Sequence, residues 1–195
     1  MKNRTERLGA FTLIELLMVI AIVGILAGIL IPTVGLVREN ANVAASKSQI
    51  SQYLTAIQSF KSEYGYYPFT DLLNGEGELD LSDAQKSKQF IETLSARDLT
   101  TFSPVTEGGN RRRIQFYTFT ENEIADGQGT SAVNTVVDRF GNNQIRIVFD
   151  LDNNGSVSVP DPEGSLTDRK DVRSSLTAYV LQDNEQNFPS YYLYD

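Results

Sequence analysis

The segment from Phe11 to Val37 constrains this chain more than any other, because it is apolar throughout apart from Thr12, Glu15 and Thr33. As a helix it would be about 40 Å long, enough to cross a bilayer core of about 30 Å. Ahead of it, Lys2, Arg4 and Arg7 outnumber the single acid Glu6, whereas the whole chain carries a formal net charge of −8. Basic residues before an apolar run and an acidic bulk after it orient such a helix with its N-terminus inside and the remainder outside.

Glu15 is the anomaly within that run. Placing a carboxylate in lipid costs on the order of 2.5–3.5 kcal/mol on insertion scales, so it calls for a partner. No Lys or Arg occurs between Phe11 and Val37, and the sequence suggests no partner in cis. A new α-amino group, freed by a cut just before Phe11, would neutralise Glu15 when a neighbouring subunit's helix packs alongside. The bland alternative is an acid that snorkels to the headgroups. Gly24 and Gly28 form a Gly-x-x-x-Gly pair with Ala21 and Ala27 nearby. Small residues of this kind let helix backbones approach closely, or they are simple lipid-facing filler. Pro32 removes one backbone donor, so the stretch between Gly28 and Gly35 could bend during assembly.

Gly9-Ala10-Phe11-Thr12-Leu13-Ile14-Glu15-Leu16 closely resembles the cleavage and methylation motif of type IV prepilins. The resemblance implies that a prepilin peptidase cuts between Ala10 and Phe11 and that Phe11 becomes N-methylated. Glu15 is then the fifth mature residue, which the family keeps acidic for assembly. Pro32 is the twenty-second, where the family also places a proline. Ala10 departs from the usual Gly before the cut, which implies slower processing. An ordinary secretory signal would have a shorter apolar run and a small-x-small cut site. A plain single-pass anchor would explain the length but not the positions of Glu15 and Pro32.

Beyond Val37 the pattern becomes amphipathic. Ile50, Tyr53, Leu54, Ile57, Phe60 and Tyr64 recur at spacings of three and four, one apolar stripe that packs on the rest of the protein. Gly65 ends the helix as a left-handed cap, and Tyr66-Tyr67-Pro68 turns the chain. Ser82 to Arg97 reads as a short helix with Ser82 and Gln85 as a capping box. Ile114–Thr120 and Leu176–Leu181 read as strands, as do Ile145–Phe149 and Ser156–Val159, which bracket Asn153-Asn154-Gly155 as a hairpin. Residues 71–82 and 104–110 read as loops. The expected fold is α+β: a long N-terminal helix, half membrane and half amphipathic, packed on a small antiparallel sheet, which under the resemblance is a pilin-like roll. The divisions are 1–10 leader, 11–37 transmembrane and assembly helix, 38–65 stem, and 66–195 head.

Two head segments carry a finer resemblance. Ser62-Glu63-Tyr64-Gly65-Tyr66-Tyr67-Pro68 is similar to the helix-ending segment of type II secretion pseudopilins, and Asp138-Arg139-Phe140-Gly141-Asn142 to a conserved loop of theirs. Arg139 and Phe140 depart from the family pattern. These segments favour a major-pseudopilin-like subunit of a filament that drives protein export. The alternative is a type IV pilus subunit for adhesion, motility or DNA uptake. Either implies the same partners: copies of itself and other pseudopilins, the prepilin peptidase, an inner-membrane assembly platform and membrane lipid. The implied location is the inner membrane, single-pass, with the head in the periplasm.

Composition excludes much else. The chain has no cysteine and no histidine, which removes disulfides, thiolate nucleophiles, Cys/His zinc sites and a histidine base. The acidic total argues against nucleic acid as the default partner. Scattered acids do not make a catalytic dyad, so the chain is expected to be the substrate of an enzyme and not one. Asp150, Asp152, Asn154, Ser156 and Asp161 fall at the offsets of a calcium loop, with Gly155 at the turn. The bland alternative is a surface turn with incidental acids. Arg111-Arg112-Arg113 reads as a solvated strand entrance or a subunit contact rather than a phosphate patch.

Overall fold

This computed structural model describes residues 12–99, 101, 103–105, 107–125, 134–162, 168–183 and 188–194. The described chain is α+β. Helix α1 spans Leu13–Tyr64, and the chain divides into two units within it, Met1–Ala41 and Asn42–Asp195.

In the first unit the helix is apolar and uncovered. Leu13–Leu30 has a mean hydropathy of 2.8, and none of that window is buried within the chain. By length and composition it is able to cross a membrane. The helical backbone continues through Pro32.

The second unit contains a core built on the stem. Ile50, Tyr53, Ala56, Ile57 and Phe60 of α1 are buried, as the three-four spacing requires. Leu54 and Tyr64 lie at the margin of this stripe. Gly65 has φ +82 and its N–H donates to the Lys61 carbonyl, so the helix ends in the left-handed conformation that glycine adopts without strain. Four strands form the main antiparallel sheet: β1 (Glu78–Asp80), β4 (Ile145–Phe149), β7 (Leu176–Val180) and β8 (Tyr191–Tyr192), in the order β1-β4-β7-β8. Two small antiparallel sheets accompany it, β2 (Ile124–Ala125) with β3 (Thr135–Val136), and β5 (Val157–Pro160) with β6 (Arg169–Val172). Helix α2 spans Ala84–Ser95.

The period of two along β4 sorts its side chains onto opposite faces. Ile145, Ile147 and Phe149 join Ile50, Tyr53 and Ile57 of α1 and Phe90, Ile91 and Leu94 of α2 in the main core. Val148 faces the other way, into a second cluster with Val157, Val159 and Tyr179. Strands β4 and β7 are therefore buried throughout. Arg146 shares the second face and is nearly buried. Its guanidinium lies 2.6 Å from Asp80 and 3.7 Å from Glu78. Glu78 also accepts from the Tyr179 hydroxyl, so each buried charge has a partner.

Four expectations need correction. The cap of α2 is Asp83, not Ser82, since the Asp83 carboxylate accepts the N–H groups of Gln85 and Lys86. The Ser82 hydroxyl instead donates to Asp80. Ile114–Thr120 forms no strand: Phe116 and Tyr117 both donate their N–H to the Leu94 carbonyl at the end of α2. Its aromatic residues serve the helix, with the Tyr117 ring 5.0 Å from Tyr53 and the Phe116 ring 5.3 Å from Phe60. β4 and β5 are not a hairpin, because β4 pairs with β1 and β7 while β5 pairs with β6 across the second face. Residues 71–82 contain β1, which the sequence conceals because two of its three residues are acids that pair with Arg146.

Candidate functional site

The cleavage residues Ala10 and Phe11 lie outside the described residues. Just after them the helix begins with a reciprocal cap. The Thr12 N–H and hydroxyl donate to the Glu15 carboxylate at 2.8 and 2.9 Å, and the Glu15 N–H donates back to the Thr12 hydroxyl at 3.3 Å. This is a capping box, Thr-x-x-Glu. It corrects the expectation that Glu15 lacks a partner in cis. The sequence carries its signal in Thr12, three residues before Glu15. The cap satisfies hydrogen bonds, but its donors are neutral, and no cation pairs with Glu15 among the described residues.

Gly24 and Gly28 face open space: a Cβ at either position would meet nothing within 4 Å. Nothing within the chain itself therefore requires glycine there. Large apolar residues around them, among them Leu17, Ile20 and Leu26, are likewise exposed.

The Asp138–Asn142 segment forms a closed loop that ties the stem to the sheet. Asp138 donates its N–H to the Asn142 carbonyl and accepts the N–H groups of Phe140 and Asn142, with Gly141 at φ +86. Its other carboxylate oxygen accepts the Tyr191 hydroxyl at 2.7 Å. The Arg139 N–H donates to Ser46 of α1, and Asn142 donates to the Leu181 carbonyl. Burial raises the pKa of Tyr191, and the Asp138 charge raises it further. Tyr53 is raised in the same way, by burial first and by Glu123 second.

The turn from Asp150 to Ser156 spends its oxygens on itself. Asp150 accepts the N–H groups of Asn154 and Gly155, Asp152 accepts both the N–H and the side-chain amide of Asn154, and Asn154 accepts the N–H and hydroxyl of Ser156. Burial works against the charged form of Asp150, but the hydrogen bonds it accepts outweigh this and hold its pKa below the usual range. Asn153 and Gly155 take left-handed conformations that fold the chain back. Asp161 follows β5 just beyond its ladder with β6, its N–H donating to the Asp168 carbonyl. No group of three or more acidic side chains able to hold a metal ion occurs among the described residues. Side-chain oxygens of Asp150, Asp152 and Asn154 thus stabilise the turn's own backbone.

The three arginines 111–113 are all exposed, on a loop held by a residue the sequence did not single out, Asn110. Asn110 is fully buried. Its amide donates to the Thr93 and Ile114 carbonyls, and its oxygen accepts from the Tyr64 hydroxyl and the Ile114 N–H. All four hydrogen-bonding positions of its side chain are used.

No family model matches the chain, and neither a curated protein nor a solved structure matches it.

Proposed function

We propose that this chain is a pilin-like structural subunit, most like a major pseudopilin of type II secretion, that polymerises through its N-terminal helix into a filament driving protein export. The observation that carries the reading is a lone carboxylate, Glu15, in Leu13–Leu30, the uncovered apolar stretch that opens α1. Lipid can cover such a surface before assembly, and helices of neighbouring copies after it. Glu15 has neutral donors in its own helix and would gain a cation only from elsewhere. The α-amino group of Phe11 in an adjacent copy, exposed by cleavage after Ala10, supplies one. That pairing fixes axial register and offsets the cost of holding a charge out of water.

Three further features support the reading. In the second unit a helix packs on an antiparallel sheet, as a pilin-like roll requires. The pseudopilin-like segment 138–142 is a closed loop fastened to the stem at Ser46. The basic start and acidic remainder orient the head to the periplasmic side of the inner membrane.

Glu15→Ala tests the proposal in cells that supply the prepilin peptidase and assembly platform. The variant should insert, fold its head and be cleaved, while filaments in the sheared membrane fraction disappear. Filaments at wild-type levels would remove Glu15 from assembly and with it the main support for the reading.

A further inference from the structure

We propose that the loop bearing Arg111, Arg112 and Arg113 is a contact surface for surface carboxylates of a second copy of this chain. This rests on the filament reading above and deepens it by placing a head-to-head contact.

Three consecutive exposed arginines are unexpected on a chain of net charge −8. The loop that carries them is fixed rather than loose. Asn110 anchors it with four hydrogen bonds, and the Arg112 N–H donates to the Tyr64 hydroxyl at 3.0 Å. On the preceding turn a Cβ at Gly108 would stand 2.0 Å from the Thr93 hydroxyl, so the backbone is pressed against α2. A loop ordered in advance loses less freedom on binding.

The fold accounts for one arginine of the three. Arg112 pairs with Glu63 at the end of α1, where a cation also complements the helix carbonyls. Arg111 and Arg113 make no ion pair among the described residues, and both side chains are exposed. Arg113 moreover sits at φ +57, a left-handed conformation that glycine would occupy at lower cost. A strained position that nonetheless carries a long cation is explained when the cation is used.

The occupant follows from charge. Cleaved subunits repel one another, since loss of Lys2, Arg4, Arg7 and Glu6 with the leader leaves them more acidic than the full chain, so a filament of them needs local attraction at its contacts. A basic loop on an acidic chain meets carboxylates of the next copy. Such a contact is heterologous: it does not close, and it propagates. A nucleic acid would meet the same arginines but be repelled by the rest of the surface.

The test uses the full chain, coexpressed with its peptidase, and the double variant Arg111→Glu/Arg113→Glu. Wild-type filaments should dissociate as salt rises. The double variant should give at least about tenfold less filament while its head melts at the wild-type temperature. In a separate Arg113→Lys variant, which keeps the charge and supplies an amine, a zero-length carbodiimide should link copies through a carboxylate. Full assembly of the double variant, or no intermolecular link in the filaments of Arg113→Lys, would overturn the proposed contact and leave the filament reading standing. Binding of a heparin probe through these arginines, with assembly unchanged, would overturn it in favour of a polyanion site. Failure of the wild-type chain to assemble after cleavage would overturn the filament reading, and the contact with it.

Discussion

The two ends of α1 meet opposite fates. From Leu13 to Leu30 its large apolar side chains stand between 52% and 88% exposed. Further along the same helix, Ile50, Tyr53, Ile57 and Phe60 are at 0%. The difference lies in pattern rather than hydrophobicity. The first stretch is apolar on every side, so no single sheet could cover it, and its cover must surround it. The second has one apolar stripe, which one sheet and one short helix suffice to bury. A helix can thus carry two different patterns in sequence, one that the described chain leaves uncovered and one that its sheet and short helix bury.

Several experiments would break or sharpen that contrast. The largest effect is alkaline. Tyr53, Tyr117, Tyr179 and Tyr191 all have raised pKa values, through burial first and neighbouring carboxylates or hydrogen bonds to them second. Raised folded-state values mean that the stability they confer is fully present below the unfolded tyrosine pKa of about 10 and is lost as pH rises above it. The head should therefore unfold above that pH. The segment 13–41 contains no tyrosine and should stay helical in detergent. Parallel titration by tyrosinate absorbance and far-ultraviolet circular dichroism checks both halves of this statement.

Next comes truncation of the stripe. Phe60→Ala should cost the head about 3–5 kcal/mol, whereas Leu17→Ala should leave its melting unchanged. Equal effects would erase the distinction between the two parts of the helix. Asn110→Ala should cost on the order of 2 kcal/mol, because the Tyr64 hydroxyl and the Ile114 N–H lose their acceptor. Urea melts of the head report this directly. The smallest effect concerns α2: Asp83→Ala should cost about 1 kcal/mol and Ser82→Ala less, reversing the order that the Ser82–Gln85 pattern suggests.

The contrast also explains what could be read without coordinates. Both parts of α1 were legible, since helical periodicity and the Gly65 stop are local signals. So were β4 and β7, whose mainly apolar runs, interrupted only by Arg146 and Thr177, reflect burial on both faces. β1 was not, because its Glu78 and Asp80 become strand residues only when Arg146, far along the chain, arrives to pair with them. Ile114–Thr120 misled for the reverse reason: alternating aromatics look like a strand whether they meet a ladder or a helix end. At the candidate site, Glu15 stands out as a charge, whereas its cap is written only as a Thr at the third residue before it, a weaker signal in an apolar run. Acids at 150–161 carried the spacing of a metal loop, but spacing does not say whether oxygens point inward to an ion or are taken by the turn's own N–H groups. Asn110 had no signal at all, as its four partners lie on three separate segments.

The central claim, that the apolar start of α1 is an assembly helix freed by cleavage, is most directly tested by intact mass and N-terminal sequencing of the membrane-extracted protein, with and without the prepilin peptidase. The account predicts a chain that begins at Phe11, with one added methyl, only when the peptidase is present. A chain that still begins at Met1 in its presence, or one cut beyond Ala27, would contradict it and leave Glu15 without its role in assembly.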